Sequence, residues 1–263
     1  MLEDNWKTYY NNIKNRSLKL IELGIWKGVD PNMLSAWINN FQTDREKYFS
    51  ACILDAIMYR SKDQVISMLY DLYTKDLHNL FRIHSNIYTP YKPPLELLKD
   101  KWNDPGFRVV SAVKKGDSPS KSGNLMSSYL VHELLISEKW ILSPTQLEEE
   151  MLKGVKHFVL IDDIICTGEQ MIEILDEINI IKNIDNISFY ISVCTAHEQG
   201  INNIQKKYPD IQIAYTELLT YENSFFNFID IKSSDYKDRM DAINRYNEFL
   251  KRKGVKNKDT LGF

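Results

Sequence analysis

The chain has 263 residues, 43% hydrophobic and 26% charged, enough to build one large or two small globular domains around a sizeable core. Thirty-three Lys and Arg against thirty-six Asp and Glu leave a formal charge of −3, which excludes a nucleic-acid or membrane binder driven by bulk charge. No window approaches the roughly 18 apolar residues of a bilayer span, and the opening MLEDNWKTYYNN lacks a signal-peptide core. Cys52, Cys166 and Cys194 form no CxxC, so a cytoplasmic protein with neither a disulfide framework nor structural zinc is expected.

Residues 1–95 read as a helical N-terminal region. Ile13, Leu18, Ile21 and Ile25 precede Gly28, and Met33, Trp37 and Phe41 continue the apolar spacing. Thr43-Asp-Arg-Glu46 has the form of a capping box leading into Phe49, Ile53 and Ile57. Val65, Met68, Leu69, Leu72 and Tyr73 then repeat at helical spacing. Prolines at 90, 93, 94 and 105 mark a joint, after which short β-rich runs at 107–113, 140–142, 157–161, 187–195 and 211–215 alternate with helical stretches. Those helices are expected at about 125–136, 169–181 and 200–207. Such alternation predicts an α/β core over residues 106–230 with a mostly parallel central sheet flanked by helices. Residues 231–263 read as an amphipathic helix through Tyr236, Met240, Ile243, Tyr246 and Leu250, with a basic tail at Lys251, Arg252, Lys253, Lys256 and Lys258.

The most informative stretch is His157-Phe-Val-Leu-Ile-Asp-Asp-Ile-Ile-Cys-Thr-Gly-Glu-Gln170, an apolar strand running into two acids, a short loop and an amphipathic helix. A loop at a strand's carboxyl end and a helix's amino end is where ligands bind in open α/β sheets. Backbone N–H groups from Ile165 to Gln170 suit a phosphate, with Cys166 among them, Gly168 allowing close approach and Thr167 adding a hydroxyl; Asp162 and Asp163 suit a polyol. Adjacent carboxylates repel, so the pair calls for hydroxyl donors or Mg²⁺ nearby. A Walker B strand ends similarly, but Gly116-Asp-Ser-Pro-Ser-Lys-Ser122 is one residue short of a Walker A loop and lacks its second Gly. A generic turn without a ligand stays open as the bland alternative.

Val159-Leu-Ile-Asp-Asp-Ile-Ile-Cys-Thr-Gly168 resembles the phosphoribosyl-pyrophosphate (PRPP) motif of type I phosphoribosyltransferases. The resemblance implies a type I phosphoribosyltransferase-like fold, with Asp162 and Asp163 on the ribose hydroxyls, the loop Ile165, Cys166, Thr167, Gly168, Glu169 and Gln170 around the 5′-phosphate, and Mg²⁺ accompanying PRPP. It also implies a pyrophosphate loop after the first strand, where Lys114, Lys115, Gly116, Ser122 and Gly123 lie; cations, hydroxyls and flexible backbone suit polyphosphate, though a solvated turn has the same composition. Glu169 and Gln170 depart from the family's small residue and Thr or Ser, and residues 143–152, in the place of its flexible flap, read as an acidic capped helix.

Three further features compete for roles. His197 and Glu198 sit at the fourth strand's end, where a base or partner could be touched, although a merely structural His is the commoner outcome. Cys166, beside a helix amino end, is a candidate for a lowered thiol pKa. Tyr215, Tyr221, Phe225 and Phe226 either stack a nucleobase or pack a core.

The long helical N-terminal region joined to this core also resembles phosphoribosyltransferase-like proteins of bacterial conflict and defence systems, some encoded beside retron reverse transcriptases. That likeness implies an effector in anti-phage immunity. Three functions remain: an enzyme transferring at ribose C1, a non-catalytic nucleotide sensor, and an assembly subunit holding a protein or nucleoprotein partner through the N-terminal helices or the basic tail.

Overall fold

The computed structural model describes residues 5–84, 92–114, 116–181 and 187–225, together with 244, 247–248 and 251–252. It divides into two compact units, residues 1–62 with 221–263 and residues 63–220. The expected domain edge near residue 95 therefore falls inside the second unit. The reason is burial: Leu69, Leu72, Leu77, Phe81, Leu95 and Leu98 share one core with sheet residues Val109, Val159 and Ile161. The helix and tail expected over 231–263 lie almost wholly outside the described residues.

In the first unit, α1 (Trp6–Glu22), α2 (Pro31–Ile38) and α3 (Asp44–Ala56) enclose Ile13, Trp26, Leu34, Ile38, Ala51 and Leu54. The expected stripe holds at Ile13 and Phe41, which are buried, and at Leu18, Ile21 and Trp37, which pack against the core, but it slips at Ile25 and Met33, which are exposed while Trp26 and Leu34 are buried. Turns at Gly24 and Gly28, both at positive φ, interrupt the helical phase, and α2 restarts it from Pro31 with the Asp30 carboxylate accepting from the Asn32 amide. The Thr43–Glu46 capping box forms reciprocally, as its spacing predicts. Asp55 of α3 ties back to α1 by accepting from the Tyr9 hydroxyl at 2.7 Å and pairing with Arg16 at 2.7 Å.

The second unit begins with α4 (Lys62–Asp71), a π-helical turn (Leu72–Asp76), α5 (Leu77–His84) and α6 (Pro94–Lys99). There follow β1 (Arg108–Ser111), α7 (Ser122–His132), β2 (Ile141–Leu142), α8 (Leu147–Leu152), β3 (His157–Ile165), α9 (Glu169–Ile181), β4 (Ser188–His197), α10 (Glu198–Lys207) and β5 (Gln212–Leu219). All five strands pair in parallel, in the order β2-β1-β3-β4-β5. The protein is thus α/β with a parallel sheet flanked by helices. Along β3 alternate residues face opposite layers: Val159 and Ile161 pack with α4 to α7, whereas Phe158 and Leu160 pack with α8 to α10. The Tyr73 hydroxyl, on the π-helical turn, lies 3.2 Å from Ser192 Oγ of β4 within the fully buried core.

Arg108, at the amino end of β1, is the sheet's buried cation. Its guanidinium donates to Glu150 at 2.9 Å and to both Asp104 oxygens at 2.9 and 2.8 Å, and lies over the Trp140 ring. Two carboxylates offset the desolvation of one guanidinium, which accounts for a charge in a strand otherwise made of Val and Ser. The residues expected to replace a family flap, 143–152, form a short 3₁₀ turn and α8, opened by a capping box between Ser143 and Gln146.

Candidate functional site

The chain crosses from β1 to edge strand β2 on one side and returns to β3 on the other, so the strand order reverses between β1 and β3. Ligand crevices in doubly wound sheets lie outside the carboxyl ends of strands at such a reversal. β1 stops at Ser111, whereas β3 runs on to Ile165 and keeps pairing with β4 through Ile164–Thr195 and Ile165–Ala196. Asp162 and Asp163 lie on this overhang. The apolar run predicts a strand that ends at Ile161, but backbone pairing to β4 carries the strand through both acids.

The start of α7 closes one side. A Cβ on Gly123 would lie 2.9 Å from the Ala112 nitrogen and 3.1 Å from the Ile161 oxygen, so the helix is pressed against the ends of β1 and β3. That approach delivers Ser122, whose hydroxyl donates to Asp162 Oδ1 at 2.6 Å. The Asp163 amide donates to the same oxygen at 2.9 Å, and Gln170 Nε2 of α9 donates to Oδ2 at 3.2 Å. Asp162 is only 3% exposed. Burial pushes its carboxyl up to about 6, with the neighbouring Asp163 charge adding to the rise and the Ser122 bond opposing it. Asp163 is half-buried and accepts from the Ile164 amide at 2.8 Å.

Loop 166–168 is held from the α10 side. Gly168, at φ +81°, and Gly200 meet so closely that a Cβ on Gly168 would lie 2.7 Å from the Gly200 oxygen. Asn203 Nδ2 donates to the Thr167 carbonyl at 3.0 Å, and the Ile172 amide donates to the Gly168 carbonyl at 2.9 Å. Ile165 is buried, Cys166 half-buried and Thr167 exposed. Burial, with the Asp163 charge behind it, pushes the Cys166 thiol up, so the helix amino end does not give the lowered pKa its position suggested. Glu169 is exposed at the start of α9; Gln170 turns its amide in on Asp162.

On the β1 side, Lys114 has its ammonium paired with Glu173 of α9, and its amide donates to Asp117 at 2.9 Å. Gly116 makes the following turn at φ +92°, and Lys115 lies outside the described residues. The structure therefore joins Ser122, Asp162 and Gln170 directly and brings Lys114 to the same helix as Gln170. His197 is buried as the cap of α10, Nδ1 accepting from the Gln199 amide at 3.1 Å. Of the candidate base-stacking aromatics, Tyr215 packs against the α8 to α10 core, Phe225 meets Phe49 edge-on at 5.6 Å, and Phe226 lies outside the described residues. Glu173, Gly200 and Asn203 had no role in the sequence reading; a glycine in a helix's first turn was the available sign for Gly200.

Among the described residues no group of three or more His, Cys, Asp or Glu converges to hold a metal ion.

A family model, PRTase-CE, matches residues 34–263. The chain belongs to the PRTase-CE family. This makes it phosphoribosyltransferase-like over a span that takes in the latter part of α2, all of α3 and the whole sheet unit. No curated protein matches the chain. No helix among the described residues is long and apolar enough to cross a membrane.

Proposed function

We propose that this PRTase-CE protein binds PRPP, or a related phosphorylated ribose or nucleotide, in the crevice between β1 and β3. The observation that carries this reading is the acid pair on the β3 overhang, set between the α7 start and a glycine-closed loop at the α9 start. In this reading the acid pair Asp162 and Asp163 forms the ribose end of the site, the amides of residues 165–170 receive the 5′-phosphate, and Lys114, Lys115, Gly116, Ser122 and Gly123 form the pyrophosphate end. First-turn amides of a helix have no partner within it, which favours a phosphate at α9. Mg²⁺ arrives with the ligand and offsets its phosphate charge.

Lys114 has to leave Glu173 to meet a phosphate. Their side chains are 33% and 59% exposed, and an exposed pair is worth about 0–1 kcal/mol, less than the roughly 1.5–3 kcal/mol of a charge-assisted bond to phosphate. Exchange therefore favours the ligand. Transfer at ribose C1 would need positioning and charge stabilisation more than a strong nucleophile, so the crevice suits an enzyme as well as a sensor.

We place this binding in bacterial anti-phage defence, with the N-terminal helices or the basic tail meeting a protein or nucleoprotein partner such as a retron reverse transcriptase complex; the support is the layout of a helical region on a divergent core. In calorimetric titration with PRPP and Mg²⁺, Asp163→Asn is expected to weaken binding about 10- to 100-fold, the worth of one charge-assisted hydrogen bond, while keeping a cooperative melting transition. The same variant is expected to lose phage protection in cells. Unaltered affinity in the variant would remove the assignment.

A further inference from the structure

We propose that the two acids divide the work: Asp163 alone touches the sugar, and Asp162 is a positioning residue that fastens the two ligand loops to each other. This rests on the crevice being a site for a phosphorylated ribose and assigns unequal roles within it.

Asp162 already receives three donors on its two oxygens, the shortest being the Ser122 hydroxyl at 2.6 Å, and it is 3% exposed. A hydroxyl bound to carboxylate at that length belongs to the strong class of hydrogen bonds. A ribose hydroxyl reaching Asp162 would displace one of these donors and gain little by the exchange. Asp163 differs in both respects. It is half-buried, and the Ile164 amide donates to its Oδ1. The outer edge of that carboxylate suits a vicinal diol.

The donors on Asp162 come from places that matter. Ser122 opens α7, directly after the β1 loop, and Gln170 is the second residue of α9, directly after loop 166–168. One buried carboxylate thus sets the spacing between the helix starts that follow the two phosphate loops. Gln170, the departure from the family pattern, is the side chain that links α9 to it.

The test titrates wild type, Asp163→Asn, Asp162→Ala and Asp162→Asn with ribose 5-phosphate and with 2-deoxyribose 5-phosphate, and follows amide hydrogen exchange without ligand. Wild type is expected to prefer the ribose compound about tenfold or more, one charge-assisted hydroxyl contact. Asp163→Asn erases that preference. Asp162→Ala weakens both compounds by a similar factor, keeps the preference, and speeds exchange at residues 122–125 and 169–172. Asp162→Asn restores slow exchange, because its amide oxygen still accepts from Ser122 and Asp163, and Gln170 turns its own amide over to accept. Loss of the ribose preference in Asp162→Asn with slow exchange retained would overturn the division, as would unchanged exchange in Asp162→Ala. Failure of wild type to bind either compound would instead overturn the site itself, while the exchange data still decide whether Asp162 positions the helices.

Discussion

Gly200→Ala is expected to destabilise the sheet unit by about 3 kcal/mol, lowering its melting temperature by roughly 6–12 °C. On propensity alone the opposite would follow, since Gly to Ala inside a helix gains about 1 kcal/mol. Contact decides the sign. A Cβ at position 200 would lie 2.3 Å from the Cys166 carbonyl oxygen and 2.6 Å from an Ile165 methyl, and the nearer atom is backbone that cannot swing aside. Either α10 moves away from β3 or loop 166–168 is pushed toward the crevice. Both routes disturb the turn that carries Thr167 and Gly168, so phosphate affinity should fall with stability. Gln199→Ala, on the exposed face one residue earlier, is the control and should stay within about 0.5 kcal/mol of wild type. Equal melting temperatures for Gly200→Ala and Gln199→Ala would show that the loop and α10 do not meet as described.

Asp162 gives the second large effect, seen as a dependence on pH. Its carboxyl, ordinarily near 3.8, is pushed up to about 6 by burial, with the Asp163 charge adding to the rise. Between those values the folded chain holds a proton that the unfolded chain has released. Stability contributed at this site therefore grows as pH falls from about 6 toward 4 and is lost as pH rises, the reverse of an ion-paired acid. Asp104, held low by its bond to Arg108, and Asp176, held low by Lys207, act in the ordinary direction and lose stability on acidification. The difference between variant and wild type isolates Asp162. At pH 7 Asp162→Asn is expected to be about 1–3 kcal/mol more stable, at roughly 1.4 kcal/mol per pKa unit, with the gain vanishing near pH 4. Urea unfolding across that range measures it. A gain independent of pH would show that the carboxyl is not held up by its surroundings.

Much of this architecture is legible in the sequence because parallel strands are continuous apolar runs. The stretches 107–113, 157–161, 187–195 and 211–215 all contain sheet strands, and α9 spans the residues its 3.6-residue spacing predicts. What escapes the sequence is set by partners distant along the chain. The β3 overhang through Asp162 and Asp163 exists because β4 pairs with it, the assignment of residues 63–99 to the sheet unit depends on tertiary burial, and the π-helical turn at Leu72–Asp76 is concealed by a helical pattern. In the crevice, the motif marked the acids and the Thr-Gly turn but not their unequal surroundings. Ser122 lies 40 residues before Asp162 and Gln170 lies 8 after it, and only folding brings both to one carboxylate.

The most direct measurement is a crystal structure of the full chain soaked with PRPP and Mg²⁺. The expected result has the ribose hydroxyls on the Asp163 carboxylate, the 5′-phosphate against the amides of residues 165–170, and Asp162 still bonded to Ser122 and Gln170. A ligand seated anywhere else, or no ligand bound at millimolar PRPP with the crevice unobstructed, would contradict the account.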